Sequence, residues 1–223
     1  MSETAAATAG MVPWTRAEMA QLIARDIPDG AIVNIGIGMP GLVADFLPHD
    51  KEILLHSENG ILGMGPKPGP NAVDMDLINA GKEPVTLLEG GAYFDHMLSF
   101  SMMRGGHLDI AILGGFQVAQ TGDLANWATN DPAAIPAVGG AMDLAVGADQ
   151  VFVMMEMLTR KGESKLVAQC SYPLTGLGCV NRVYTDYAVL DIDAAGFVAR
   201  DLAPGVTRAA LEALAGVPIR AAA

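Results

Sequence analysis

Glu52-Ile53-Leu54-Leu55-His56-Ser57-Glu58-Asn59-Gly60 is the stretch on which the fold turns. An apolar run of strand length ends at His56 and gives way to a hydroxyl, a carboxylate, an amide and a glycine, so Glu58 falls just past the carboxyl end of a short strand. Open α/β sheets bind their ligands at that end. The residues that follow, Ile61-Leu62-Gly63-Met64-Gly65-Pro66, read as a glycine-broken loop. Glu58 is the candidate nucleophile. A Glu beside Asn and Gly is also an ordinary turn or cap residue. A carboxylate attacks well only where a site desolvates it and stabilises the charge that develops on its target.

The flanking segments supply the rest of an α/β pattern. Thr15-Arg16-Ala17-Glu18 is a capping box, and Met19, Leu22, Ile23 and Ile27 recur at helical spacing, which predicts a first helix to about Ile27. After the turn Pro28-Asp29-Gly30, the run Ala31-Ile32-Val33-Asn34-Ile35 reads as a buried strand leading into Gly36-Ile37-Gly38-Met39-Pro40-Gly41. These glycines satisfy the dinucleotide spacing, but Pro48 cuts the expected helix Leu42–Leu47 short of a full crossover, which argues against a nicotinamide or flavin site. Further strands are expected at Val85–Leu88 (ending in Gly90-Gly91), Leu108–Leu113 (before Gly114-Gly115) and Gln150–Met155, the last central by its apolarity. Met97–Met103 and Thr207–Leu214 read as helices. Short strands are expected at 165–168, 179–184, 187–190 and 197–200.

The fold class implied is an open, mostly parallel α/β sheet with helices and a β-rich C-terminal region, as one domain over residues 14–223. Residues 1–13 are small and alanine-rich and read as a disordered tail; Glu3 and the lack of a long apolar segment distinguish them from a secretory signal.

Composition narrows the function classes. The 223 residues carry a formal net charge of −12, with 25 acidic against 13 basic residues, which disfavours an extended nucleic-acid surface. Hydrophobic residues reach 51%, so part of the apolar surface is expected to meet another protein chain. No apolar run of membrane-spanning length escapes interruption. Cys170 and Cys179 match neither a redox pair nor a zinc knuckle, which makes the cytoplasm the default. His49, His56, His96 and His107 show no metal-ligand spacing, and no serine lies in a nucleophile elbow. Glycine pairs closing several strands, with Gly139-Gly140, suit close approach of backbone to a ligand, and converging N–H groups suit an oxyanion.

Taken together, Ser57-Glu58-Asn59-Gly60, Val33-Asn34-Ile35-Gly36-Ile37-Gly38, Met103-Arg104-Gly105-Gly106-His107, Gly122-Asp123-Leu124-Ala125-Asn126-Trp127 and Gly139-Gly140-Ala141-Met142-Asp143-Leu144 resemble the B subunit of the family I 3-oxoacid CoA-transferases from about Trp14 to Pro218. The resemblance implies a fold of the ribose-phosphate isomerase and CoA-transferase type and a partner A subunit in a hetero-oligomer. It implies CoA and succinyl-CoA as substrates, with no separate cofactor or metal. By the same resemblance Glu58 carries a glutamyl-CoA thioester and Gly139 offers a backbone N–H to the oxyanion. Asn34, Lys82, Asn126 and Gly140 contact CoA or substrate. Structural hydrogen bonding, or a surface cation for Lys82, is the competing reading of these polar positions. Ser99–Met103, 135–138 and Gly162–Val167 are most similar to members that move CoA from succinyl-CoA to 3-oxoadipate, with acetoacetate-type members close. A CoA hydrolase and a non-catalytic ligand-binding protein are the alternatives.

Overall fold

The computed structural model describes residues 10–131, 133–136 and 138–222. Helix α1 (Arg16–Asp26) starts where the capping box requires: Thr15 Oγ1 accepts from Glu18 N at 3.2 Å and Glu18 Oε2 accepts from Thr15 N at 2.7 Å. Its buried Met19, Ala20, Ile23 and Ala24 make the inward stripe. Of the expected tail, residues 1–9 lie outside the described residues, while Val12 N donates to Pro204 O at 2.9 Å and holds residues 10–13 against the C-terminal region.

The strands are β1 (Ile32–Ile35), β2 (Leu54–Ser57), β3 (Ile61–Gly65), β4 (Thr86–Tyr93), β5 (Leu108–Gly114), β6 (Gln117–Ala119), β7 (Leu124–Ala125), β8 (Ala148–Met154), β9 (Leu166–Val167), β10 (Val180–Tyr184), β11 (Ala188–Asp193), β12 (Gly196–Leu202) and β13 (Ile219–Ala221). Ten of them form one sheet in the order β13-β12-β11-β10-β8-β5-β1-β2-β3-β4. Its middle, β10 to β2, is entirely parallel, with antiparallel pairs on either side. β6, β7 and β9 form a second, small sheet. The helices are α2 (His96–Arg104), α3 (Ala141–Gly147) and α4 (Arg208–Ala215).

Side chains alternate across the parallel strands, as a sheet buried on both faces requires. Ile110, Ile112, Phe152 and Met154 join the cluster built on α1, whereas Ala111, Leu113, Val151 and Val153 join the opposite cluster with Met103, Leu144 and Leu211. The central position expected for the strand at Gln150–Met155 is met by β8.

Three local readings need correction. The segment after Glu58 is not a loop: Ile61–Gly65 pairs antiparallel with β2 and with β4. The strand begun at Thr86 does not end at Gly90-Gly91 but runs through them to Tyr93. The helix expected at Leu42–Leu47 is a 3-10 segment, Met39–Phe46, broken before Pro48. No helix among the described residues is long and apolar enough to cross a membrane.

Candidate active site

Four adjacent parallel strands, β2, β1, β5 and β8, end on the same side of the sheet, and a cavity of about 430 Å³ opens there. Each strand contributes its last residues and the turn beyond: Ser57 and Glu58 from β2, Asn34–Ile37 from β1, Leu113–Phe116 from β5, Met154 and Met155 from β8. Gly139, Gly140, Ala141 and Leu144 close a further wall. The cavity thus occupies the position at which open α/β sheets hold ligands.

Glu58 stands in a tight turn between β2 and β3, with Gly60 N donating to Ser57 O at 2.9 Å. Its neighbours pin that turn to the following segment. Ala80 N donates to Ser57 Oγ at 3.0 Å, and Asn59 Nδ2 donates to Ile78 O at 2.8 Å. The carboxylate lies directly against Gly140, the residue that caps α3: a Cβ on Gly140 would fall 3.0 Å from Glu58 Cδ and 3.2 Å from Phe100 Cζ. Burial pushes the Glu58 carboxyl above its usual range, assisted by Asp143 and opposed by His96 and the Gly140 backbone amide. A partly desolvated carboxylate is the state that nucleophilic use demands.

Behind the turn sits a buried polar chain. Asn34 Nδ2 donates to His56 Nδ1 at 2.9 Å and to His56 O at 3.2 Å. Because Nδ1 accepts, the proton of the neutral imidazole is on Nε2, which donates to Ser99 Oγ at 3.1 Å. Burial lowers the His56 pKa to about 4, so the ring is neutral at physiological pH. Its ring stacks on Phe94 with centroids 6.0 Å apart. The Asn34 amide is thereby fixed in orientation at the cavity wall.

The sequence-derived residues divide clearly. Glu58, Asn34, Asn126, Gly139 and Gly140 line one cavity. Lys82 does not; it is exposed at the tip of the 79–83 turn, in left-handed backbone conformation at φ 64°. Asn126 also carries structural bonds, its Oδ1 accepting from Thr175 Oγ1 at 2.6 Å and its Nδ2 donating to Gly114 O at 3.1 Å. Sequence reasoning passed over Lys165, the one cation among the described lining residues. A lysine immediately before the apolar pair Leu166-Val167 was the available signal.

A cavity at the ends of the parallel strands of an α/β sheet, with one desolvated carboxylate against a glycine backbone, has the features that acyl or group transfer requires. The Coenzyme A transferase family profile matches residues 16–212, and the chain belongs to that family. It is 62% identical over 205 residues to the B subunit of 3-oxoadipate CoA-transferase from Pseudomonas putida, covering 92% of this chain and 96% of the relative. The Acinetobacter baylyi protein of the same description is 54% identical, covering 92% and 94%. Among solved structures, glutaconate coenzyme A-transferase from Acidaminococcus fermentans superposes with a TM-score of 0.66 at 18% identity, over 94% of this chain and 87% of that one. The acyl-CoA transferase YdiF of Escherichia coli O157:H7 gives 0.72 at 20% identity; 95% of this chain is covered, but only 42% of that longer chain. These two likenesses are of fold.

Proposed function

We propose that this chain is the B subunit of a CoA-transferase that moves CoA from succinyl-CoA to 3-oxoadipate through a thioester on Glu58. The observation that carries the reading is the Glu58 carboxylate, half-buried in the cavity and held against the Gly140 backbone. The 62% and 54% identities to proteins described as B subunits of 3-oxoadipate CoA-transferase support the choice of acceptor.

The chemistry follows from one carboxylate used twice. Glu58 attacks the thioester carbonyl of succinyl-CoA, expelling the CoA thiolate and leaving a succinyl–glutamyl anhydride. The thiolate then attacks the Glu58 carbonyl carbon, so succinate departs with one former Glu58 oxygen and a glutamyl-CoA thioester remains. The carboxylate of 3-oxoadipate attacks that thioester, releasing the thiolate and forming a second anhydride. Attack of the thiolate on the 3-oxoadipyl carbonyl gives 3-oxoadipyl-CoA and returns Glu58, now bearing one acceptor oxygen. Over the whole cycle one thioester and one carboxylate are exchanged for another thioester and carboxylate of similar energy, so the exchange needs no ATP.

Each acyl transfer passes through a tetrahedral oxyanion. Gly139, open toward the cavity, supplies a backbone N–H, and Gly140 keeps the wall low enough for the carboxylate to swing. Removing one such donor typically costs about 10² to 10³ in rate. Asn34 and Asn126 orient the acyl group, and Lys82 reaches CoA from its exposed turn. Binding energy drawn from the nucleotide of CoA is available to orient the reacting thioester.

We take residues 14–223 as a single domain, since two apolar clusters share one sheet. A partner A subunit completes the pocket in this reading. Exposed Ile37 and Phe116 at the cavity, with Val138 beside Gly139, are the apolar surface it would cover. The cytoplasm suits two free cysteines whose thiols burial pushes up to about 11. The test is to co-purify both subunits and compare 3-oxoadipate with acetoacetate as acceptors of CoA from succinyl-CoA. Preferred use of 3-oxoadipate supports the reading; exclusive use of acetoacetate, or hydrolysis without any acceptor, overturns it.

A further inference from the structure

The cavity is lined by only two charged groups among the described residues, Glu58 and Lys165. They stand on opposite flanks. Glu58 follows β2, whereas Lys165 N donates to Met157 O at 2.8 Å, just beyond the carboxyl end of β8. The strand order places three inter-strand steps between β2 and β8, about 14 Å at the usual sheet spacing. The walls between them carry no charge: Ile35, Met39, Leu113, Phe116, Met154 and Met155 are apolar, and the amides of Asn34 and Asn126 are neutral and already bonded to His56, Thr175 and Gly114.

The charges that could neutralise Lys165 are engaged elsewhere. Glu156 is paired with Arg16 at 2.6 Å, and Asp186 Oδ1 accepts from Met157 N at 2.7 Å. Both attract the Lys165 ammonium from a distance, but among the described residues its Nζ makes no hydrogen bond and no ion pair within 4.0 Å. Burial holds its pKa below the ordinary lysine value despite that attraction.

A succinyl or 3-oxoadipyl group brings a second carboxylate into this cavity after its first has become the reacting carbonyl. Left without a cation among uncharged walls, that carboxylate is costly to desolvate and repels Glu58. We propose that Lys165 is the specificity-determining residue that receives the distal carboxylate of the acyl group, at the far end of the cavity from Glu58. The inference rests on the transferase reading and extends it to the class of acyl chain accepted: dicarboxylic over monocarboxylic.

The lengths agree. Extended, the carbon chain of a succinyl group measures about 4 Å and that of a 3-oxoadipyl group about 6 Å, at about 1.3 Å of advance per C–C bond. The four-carbon stem of lysine is flexible enough to follow a difference of this size. One ammonium therefore serves both the donor and the acceptor half-reaction, and Glu58 need not move.

The experiment compares succinyl-CoA with butyryl-CoA, which replaces the distal carboxylate by a methyl group, in the co-purified complex. Wild type is expected to form the Glu58 adduct from succinyl-CoA with a kcat/KM about 10- to 100-fold above that from butyryl-CoA, the range for a hydrogen bond to a charged group. Lys165→Gln should erase that preference by slowing succinyl-CoA while leaving butyryl-CoA unchanged, and Lys165→Arg should restore most of it. Should Lys165→Gln fail to fold, Lys165→Met keeps the aliphatic stem and gives the same comparison. A lysine that merely balances Glu156 and Asp186 would lower both substrates together. Wild type without the preference, or a folded Lys165→Gln that retains it, overturns the proposal. If wild type forms no adduct from either thioester, the transferase reading fails; calorimetric titration with succinate against butyrate then still decides the role of Lys165, which requires tighter succinate binding in wild type and no difference in Lys165→Gln.

Discussion

The Glu58 carboxyl group and the Cα of Gly140 occupy adjoining space with no room for a methyl group between them: a Cβ on Gly140 would lie 3.0 Å from Glu58 Cδ. Gly140 has φ −73° and ψ 2°, a conformation open to any residue, so the glycine is required by this contact and not by backbone strain. Gly140→Ala should therefore fold with a melting temperature close to wild type while adduct formation falls by about 10²-fold, comparable to loss of an oxyanion donor. Parallel thermal melts and single-turnover kinetics check both halves. An alanine variant of wild-type rate would show that the contact is incidental.

The His56 site predicts an acid-side loss of stability. The ring is neutral in the fold with a pKa of about 4 and charges near 6.5 when unfolded. Between those values the unfolded chain binds the extra proton. This contribution is fully present above about pH 6.5, falls as the pH drops toward 4, and levels off below, an amount of about 3 kcal/mol. Urea unfolding of wild type and His56→Gln across pH 4 to 7.5 isolates it, because the other titrating groups are common to both proteins. Equal pH slopes in the two proteins would contradict the assignment.

Thr15 does not line the cavity, and its capping box gives a stability effect alone. Thr15→Ala removes the side-chain acceptor of Glu18 N and should destabilise by about 1 kcal/mol. Denaturant titration should register this shift, and kcat should not change.

Oxygen bookkeeping tests the two-anhydride route independently of any variant. Acceptor acid labelled with 18O in the reacting carboxylate leaves one label on Glu58 after the first turnover, and a later turnover passes it to succinate. Mass spectrometry of succinate under multiple turnover should find the label. Label retained wholly in the acceptor product would exclude Glu58 as the carrier.

Much of this was legible in the chain. Apolar runs at β1, β2, β5 and β8 gave their strand character directly, and the carboxyl end of β2 put Glu58 where ligands bind. The hairpin after Glu58 was not legible, because Gly63, Gly65, Gly90 and Gly91 interrupt both strands and erase the alternation by which strands are recognised. Those glycines are what let the strands meet: a Cβ on Gly63, at φ 77°, would sit 2.9 Å from the Gly91 Cα, beside the register shift between Leu62 and Met64. Lys165 escaped for a different reason. It precedes a two-residue strand of the smaller sheet, too short for periodicity, and is held at the cavity by long-range pairing, its N–H on Met157 O and its carbonyl on Val118 N beside the β6–β9 ladder. Lys82 shows the converse: a cation assigned by resemblance stands on an exposed turn near Ala80 and not in the cavity wall.

The claim that Glu58 carries CoA is tested most directly by incubating the co-purified protein with succinyl-CoA, without acceptor, and mapping the adduct by mass spectrometry after proteolysis. A CoA thioester is expected on the peptide containing Glu58, removed by hydroxylamine and by added 3-oxoadipate, and absent from Glu58→Ala protein that still binds acyl-CoA. An adduct on another residue, or one that persists in Glu58→Ala, would contradict it.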